Sequence, residues 1–155
     1  MKIIEGDITN ATEGFIIHQV NCRDVMGSGV AKALFTKWPI VKKQYHVFNK
    51  RFVERNVLDR LLGSLDIIPV STETSVINAY TQNYFGNDGK QYTDYDAIRK
   101  VFNFISNNID LSNGIAIPYM YGCGLGGGDW DVVSQIIEDS FDDKAVVYKL
   151  PNKWK

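Results

Sequence analysis

Cysteine is scarce in this chain: Cys22 and Cys123 are the only two among 155 residues. Two isolated thiols exclude a disulfide framework and a zinc cluster. Histidine is equally scarce, with only His18 and His46. No acidic or histidine cluster has ligand spacing, so neither a metal nor another cofactor is expected. No apolar run approaches membrane-spanning length. The start, Met1-Lys2-Ile3-Ile4-Glu5, lacks the pattern of a secretory leader. The expected address is therefore the reducing cytoplasm, with no membrane partner. An excess of one charge is missing too. The 17 basic and 18 acidic residues leave a net charge of -1, which predicts no large nucleic-acid surface. Lys42-Lys43 and Lys50-Arg51 read as a solvated helix face. The Gly-x-x-x-x-Gly-Lys-Ser/Thr loop of nucleoside triphosphatases is absent as well.

Glycine is what the chain concentrates. A short apolar strand, Ile115-Ala116-Ile117-Pro118, runs into Tyr119-Met120-Tyr121-Gly122-Cys123-Gly124-Leu125-Gly126-Gly127-Gly128, and an amphipathic stretch follows at once. Five glycines in seven positions exceed what a chain reversal needs. Without a Cβ, backbone N–H groups can approach a ligand closely. The helix that follows points its partial positive end to the same place. Strand, glycine loop and helix N-terminus predict a cradle for phosphate.

The remaining pattern predicts one α/β domain over 1–155, a sheet interleaved with helices on both faces. Strands are expected over Lys2–Glu5, Gly14–Val20, Ser64–Val70, Ser75–Thr81, Gly114–Pro118 and Ala145–Leu150. Helices are expected over Val30–Lys37, from Pro39 to about Phe48, and over Asp94–Asn107 and Asp131–Phe141. The third and fourth strands, joined by the polar turn Ser71–Thr74, form a hairpin. Glycine-bearing loops follow Gly14–Val20 and Gly114–Pro118, and ligands of such sheets bind beyond the carboxyl ends of strands. The glycine run follows a late strand, which disfavours a dinucleotide-binding dehydrogenase.

Four blocks in this order carry a specific likeness: Gly6-Asp7-Ile8, His18-Gln19-Val20-Asn21-Cys22, Met26-Gly27-Ser28-Gly29-Val30-Ala31, and Gly122 to Trp130. With them the chain resembles the macro domain family, ADP-ribose-binding three-layer α/β/α sandwiches with a mixed central sheet. The likeness runs through nearly the whole chain. It is closest to the branch that includes the yeast-type ADP-ribose 1″-phosphate phosphatases.

The resemblance implies a role for each block, and each role has a plainer rival. Asp7, with the Ile8 backbone, would hold the adenine amine, whereas an Asp here also caps turns. Asn21 would hold the distal ribose, its amide offering both donor and acceptor, although asparagine is also common in turns. Gly27, Ser28, Gly29 and Val30 would meet the diphosphate or distal ribose from one side. Tyr121, Gly122, Cys123, Gly124, Leu125 and Gly126 would wrap it from the other. Cys123 reads as small filler rather than a nucleophile. His18 interrupts an apolar strand and is a candidate catalytic residue beside Asn21. A buried histidine satisfied by one carbonyl is its equal rival. Asp129 reads as a helix cap and Trp130 as a core anchor. The rings between Tyr80 and Phe85 either pack or cover the ligand.

Relatives that remove ADP-ribose from DNA or glutamate carry a Thr-Lys pair where this chain has Thr81-Gln82. Some of them place an aspartate where this chain has Gly126. A neutral amide cannot form a Schiff base at the 1″ carbon. The expected activity is therefore hydrolysis of ADP-ribose 1″-phosphate to ADP-ribose and phosphate. The alternatives are a non-catalytic reader of ADP-ribose or a deacylase of ADP-ribose esters. Expected partners are ADP-ribose, its 1″-phosphate and ADP-ribosylated macromolecules.

Overall fold

The computed structural model describes residues 1–151; positions 152–155 of the expected domain lie outside them. Six strands form one sheet: β1 (Lys2–Glu5), β2 (Phe15–Asn21), β3 (Leu65–Pro69), β4 (Ser75–Gln82), β5 (Ile115–Pro118) and β6 (Ala145–Lys149). The helices are α1 (Gly29–Lys37), α2 (Ile40–Glu54), α3 (Tyr95–Asn108) and α4 (Trp130–Phe141). The strand order is β1-β6-β5-β2-β4-β3. Every neighbouring pair is parallel except the β3–β4 hairpin. The mixed sheet lies between α3 and α4 on one face and α1 and α2 on the other, the three-layer arrangement expected.

Side-chain alternation along β2 and β4 builds both cores. Ile17, Ile77 and Ala79 meet Ile98, Val101, Phe102 and Ile105 of α3, and Val133, Ile136 and Ile137 of α4. Ile16 and Val76 face the other way, onto Leu34 of α1 and Val41 of α2. Asp94 and Asp129 cap α3 and α4, accepting from the N–H groups of Ala97 and Asp131. The Asp129 cap matches its sequence reading. Helix α2 runs to Glu54 rather than Phe48. Its added turns bring Phe52 and Asn49 against the Tyr45–Tyr80 stack, packing that no local pattern discloses.

Topology places the site. After β2 the chain leaves towards β4 and β3, and after β5 it leaves towards β6 and β1. The two connections diverge between adjacent strands and cover opposite faces of the sheet. A crevice opens where such connections part. The register of β2 on β4 also slips there, with Val20 opposite Tyr80 but Asn21 opposite Gln82. This leaves Thr81 as an extra residue on β4, a bulge at the mouth of the crevice.

Candidate functional site

The crevice is a cleft of about 560 Å³. Its walls are the two glycine loops foreseen from sequence: Gly27, Ser28, Gly29 and Val30 on one side, Gly122, Gly124, Leu125 and Gly126 on the other. Tyr121, His18, Asn21, Gln82 and Phe85 also line it. Among the described residues, no Lys, Arg, Asp or Glu lines it.

The amides divide into two groups. Cys123, Gly127 and Gly128 donate within their own loop, to the carbonyls of Met120 (2.8 Å), Gly124 (3.0 Å) and Gly122 (2.9 Å). The N–H groups of Gly122, Gly124, Leu125 and Gly126 make no hydrogen bond to a described residue. The same holds for Gly27, Ser28, Gly29 and Val30, while Lys32 N–H reaches back to Ser28 O at 3.3 Å. Such N-terminal amides have no intrahelical acceptor. Two rows of uncommitted donors therefore flank an uncharged cleft, which suits a pyrophosphate.

The wide loop keeps its shape through a polar hub beneath it. Gln19 Nε2 donates to Gln82 Oε1 and to Thr93 Oγ1, both at 2.9 Å, and Thr81 Oγ1 donates to Gln19 Oε1 at 2.7 Å. Thr93 Oγ1 donates onward to Gly122 O at 2.6 Å. The Thr81 hydroxyl proton is committed to Gln19, so the Tyr121 hydroxyl is the donor in their 2.8 Å contact. Two glycines are sterically required above the hub. A Cβ on Gly126 would lie 2.5 Å from Thr93 Oγ1 and 2.7 Å from Gly122 O. Gly127 adopts φ +73°, and a Cβ there would lie 2.3 Å from Lys90 O.

His18 lies at the floor, 1% exposed. Its Nε2 is 2.5 Å from Asn78 Oδ1. Asn78 Nδ2 donates to Val41 O at 3.3 Å, so Oδ1 faces the imidazole and Nε2 carries the proton. Burial outweighs that bond and pulls the His18 pKa down to about 4. The ring is thus neutral at pH 7, and its buried Nδ1 lone pair has no hydrogen-bond partner among the described residues.

Asn21 is half-buried and closes its own loop. Its Nδ2 donates to Val25 O at 2.8 Å, and its Oδ1 accepts from Arg23 N–H at 2.9 Å. The Tyr45 hydroxyl lies 2.8 Å from both the Asn21 carbonyl and Oδ1.

Three of the expected ligand residues are not in the cleft. Asp7 Oδ1 accepts from the Thr9 N–H and hydroxyl at 2.9 and 2.8 Å, so the capping reading describes its contacts. Asp7 borders a separate shallow depression with Thr9, Lys32 and Lys37, which meets the main cleft at Gly29. Ile8 is buried in the core beside Leu34. Cys123 packs against the α3–α4 core, with its thiol donating to Tyr121 O at 3.2 Å. Burial pushes both Cys22 and Cys123 up to about 12, so neither is a thiolate at neutral pH. Both thiols are expected to resist a maleimide probe at pH 7.5 in the native protein and to react once it is unfolded. A fast native reaction at either would contradict this burial.

Several lining residues were not foreseen. Gln19 had a signal, as a polar side chain within a strand buried on both faces. Val25 in the wall, and Thr93 in the hub beneath the loop, had none that separates them from ordinary loop residues. Of the rings left open between Tyr80 and Phe85, Tyr80 is a core residue stacked on Tyr45, while Phe85 lines the cleft.

No family model matches the sequence. Among curated proteins, it is 23% identical over 168 residues to polyprotein P1234 of Eastern equine encephalitis virus (strain PE-3.0815). The match takes in 99% of this chain but only 6% of that protein's length. Among solved structures, a Bacteroides thetaiotaomicron protein superposes with TM-score 0.81 at 26% identity, covering 97% of this chain and 99% of its own. A macrodomain protein from Streptomyces coelicolor gives TM-score 0.76 at 23% identity, with 95% and 97% coverage. Thermosipho africanus DarTG, solved in complex with ADP-ribose, gives 0.77 at 20% identity over 99% of this chain and 42% of its own. Strand order, layers and superposition agree: this chain has the macrodomain α/β fold.

Proposed function

We propose that the cleft binds ADP-ribose, free or as the terminal unit of a larger ligand. One observation carries this reading: the two facing rows of unbonded amides at Gly27–Val30 and at Gly122, Gly124, Leu125 and Gly126. A pyrophosphate between them would replace water with fixed donors. The adenine would extend towards the Asp7 depression, which opens at Gly29, and the distal ribose towards Asn21, Gln82 and Phe85. The likeness to Thermosipho africanus DarTG, solved in complex with ADP-ribose, supports the assignment.

A second reading, hydrolysis of ADP-ribose 1″-phosphate, is favoured by His18. His18 lines the cleft, and its neutral, buried Nδ1 has no hydrogen-bond partner among the described residues. It would orient an attacking water only where that water is admitted to the buried lone pair. As a neutral ring with a pKa of about 4, it would not donate a proton to the leaving group at pH 7. Among the described residues no cationic side chain lines the interior of the cleft. A neutral His18 that gives no proton to the leaving group favours binding over rapid turnover.

Calorimetry with ADP-ribose tests the first reading, and a phosphate-release assay on the 1″-phosphate tests the second. Saturable one-site binding by wild type is expected, with slow phosphate release that His18→Gln reduces at least 10-fold while ADP-ribose affinity changes less. Absence of ADP-ribose binding would remove both readings. Binding without any phosphate release would leave only the first.

A further inference from the structure

Among the described residues no charged side chain lines the cleft, but cations border it: Lys149 lies over the Tyr119 ring, Lys32 and Lys37 line the depression that meets it at Gly29, and Arg23 stands at the Asn21–Val25 side. Arg23 is exposed and lies between Asn21 and Val25, both lining residues. Its Cζ sits 5.0 Å from the centroid of the Tyr84 ring. Tyr84 in turn stacks on Phe85, with centroids 5.4 Å apart and planes 7° from parallel, and Phe85 lines the cleft. The two loops that carry this stack are joined by Cys22 N–H donating to Asn83 O at 3.1 Å. Arg23 has no carboxylate partner among the described residues. The neighbouring Asp24 pairs instead with His46. A guanidinium held on an aromatic face keeps its planar fork of donors free and partly oriented.

The position matters as much as the charge. The Asp7 depression joins the cleft at Gly29, and Arg23, Tyr84 and Phe85 sit with Asn21 and Gln82 at the strand ends of β2 and β4. Tyr84 and Phe85 are 54% and 39% exposed, unusual for large rings with no partner beyond the stack. A lone surface cation–π contact explains the pairing but not the exposed platform beside it. We propose that Arg23, held on the Tyr84–Phe85 platform, is a specificity residue that recognises an oxyanion attached to the distal ribose of the bound ligand. The backbone amides would hold the pyrophosphate, and the Arg23 fork would take the additional phosphate-like group bidentately. This rests on the ADP-ribose reading above.

The test titrates wild type, Arg23→Gln, Arg23→Lys and Tyr84→Ala with two ligands: ADP-ribose, and its 1″-phosphonomethyl analogue, which cannot be hydrolysed. Arg23→Gln should weaken the phosphonate analogue about 10- to 30-fold and ADP-ribose less than 3-fold, as expected for loss of a charge-assisted contact. Arg23→Lys should recover part of the loss, and Tyr84→Ala should weaken the analogue several-fold by freeing the fork. Equal weakening of both ligands by Arg23→Gln, or none of either, overturns the proposal while leaving the ADP-ribose reading intact. Failure of wild type to bind ADP-ribose overturns both.

Discussion

Gly127→Ala is expected to lower the thermal midpoint by roughly 6–12 °C and to abolish ADP-ribose binding. Two effects combine at this residue. The backbone sits at φ +73°, where an L side chain is strained, and the new Cβ would lie 2.3 Å from Lys90 O and 3.0 Å from Gln91 Cα. Those neighbours are backbone, so no rotamer change relieves the contact. Left-handed strain of about 1–2 kcal/mol and overpacking of about 1–3 kcal/mol together suggest about 3 kcal/mol. The segment displaced also receives the Tyr92 and Thr93 N–H groups, which donate to Gly126 O at 2.7 and 3.0 Å. Gly124 is the control: a Cβ there meets nothing within 4 Å. Gly124→Ala should keep the wild-type midpoint while weakening ADP-ribose, because the methyl group enters the space the ligand needs. Differential scanning calorimetry and titration of both variants decide the matter. An unshifted midpoint in Gly127→Ala would contradict the crowding described.

Acidification is expected to destabilise the protein through His18. Its folded-state pKa is about 4 against an ordinary 6.5, so the unfolded chain takes up the proton first. Stability is therefore greatest above pH 6.5 and declines as the pH falls from 6.5 to about 4. The full contribution is about 3 kcal/mol, since each unit is worth about 1.4 kcal/mol. Carboxylates titrate in the lower part of this window, so the comparison with His18→Gln is essential. Glutamine retains a donor for Asn78 but cannot ionise. The variant should be less stable at pH 7.5, yet lose less stability than wild type on going to pH 4.5. Parallel losses, followed by urea unfolding at each pH, would show that His18 is not held neutral by burial.

Much of the site was legible because glycine placement is a local demand. The five glycines between Gly122 and Gly128 were read as room for a ligand; at Gly126 and Gly127 the space a Cβ would need is filled by the protein itself, by Thr93 and Lys90, while at Gly124 it is open. Apolar alternation in β2 and β4 and the helical spacing of Ile98, Val101, Phe102 and Ile105 likewise reported which faces turn inward. The Asp129 cap could be read for the same reason, since capping involves only near neighbours in the chain.

Asp7, Ile8 and Cys123 show where local reading stops. Nothing near Asp7 in the chain says whether its carboxylate turns to a ligand or to Thr9, and its capping contacts follow from the short turn at Ile8–Asn10. Cys123 lies within the glycine run, yet its side chain belongs to the α3–α4 core. The Gln19–Thr93–Gly122 chain joins residues 74 and 29 positions apart, and Arg23 meets Tyr84 across two loops.

Backbone freedom, side-chain periodicity and capping act over a few residues, so the order of amino acids alone was enough for the α/β class, the hairpin and the two amide-rich loops. Which side chains share the cleft, which nitrogen of His18 bears its proton, and that Arg23 stands on the Tyr84 ring beside the crevice depend on contacts between distant segments. Those contacts exist only once β5 and β2 lie side by side and their connections part.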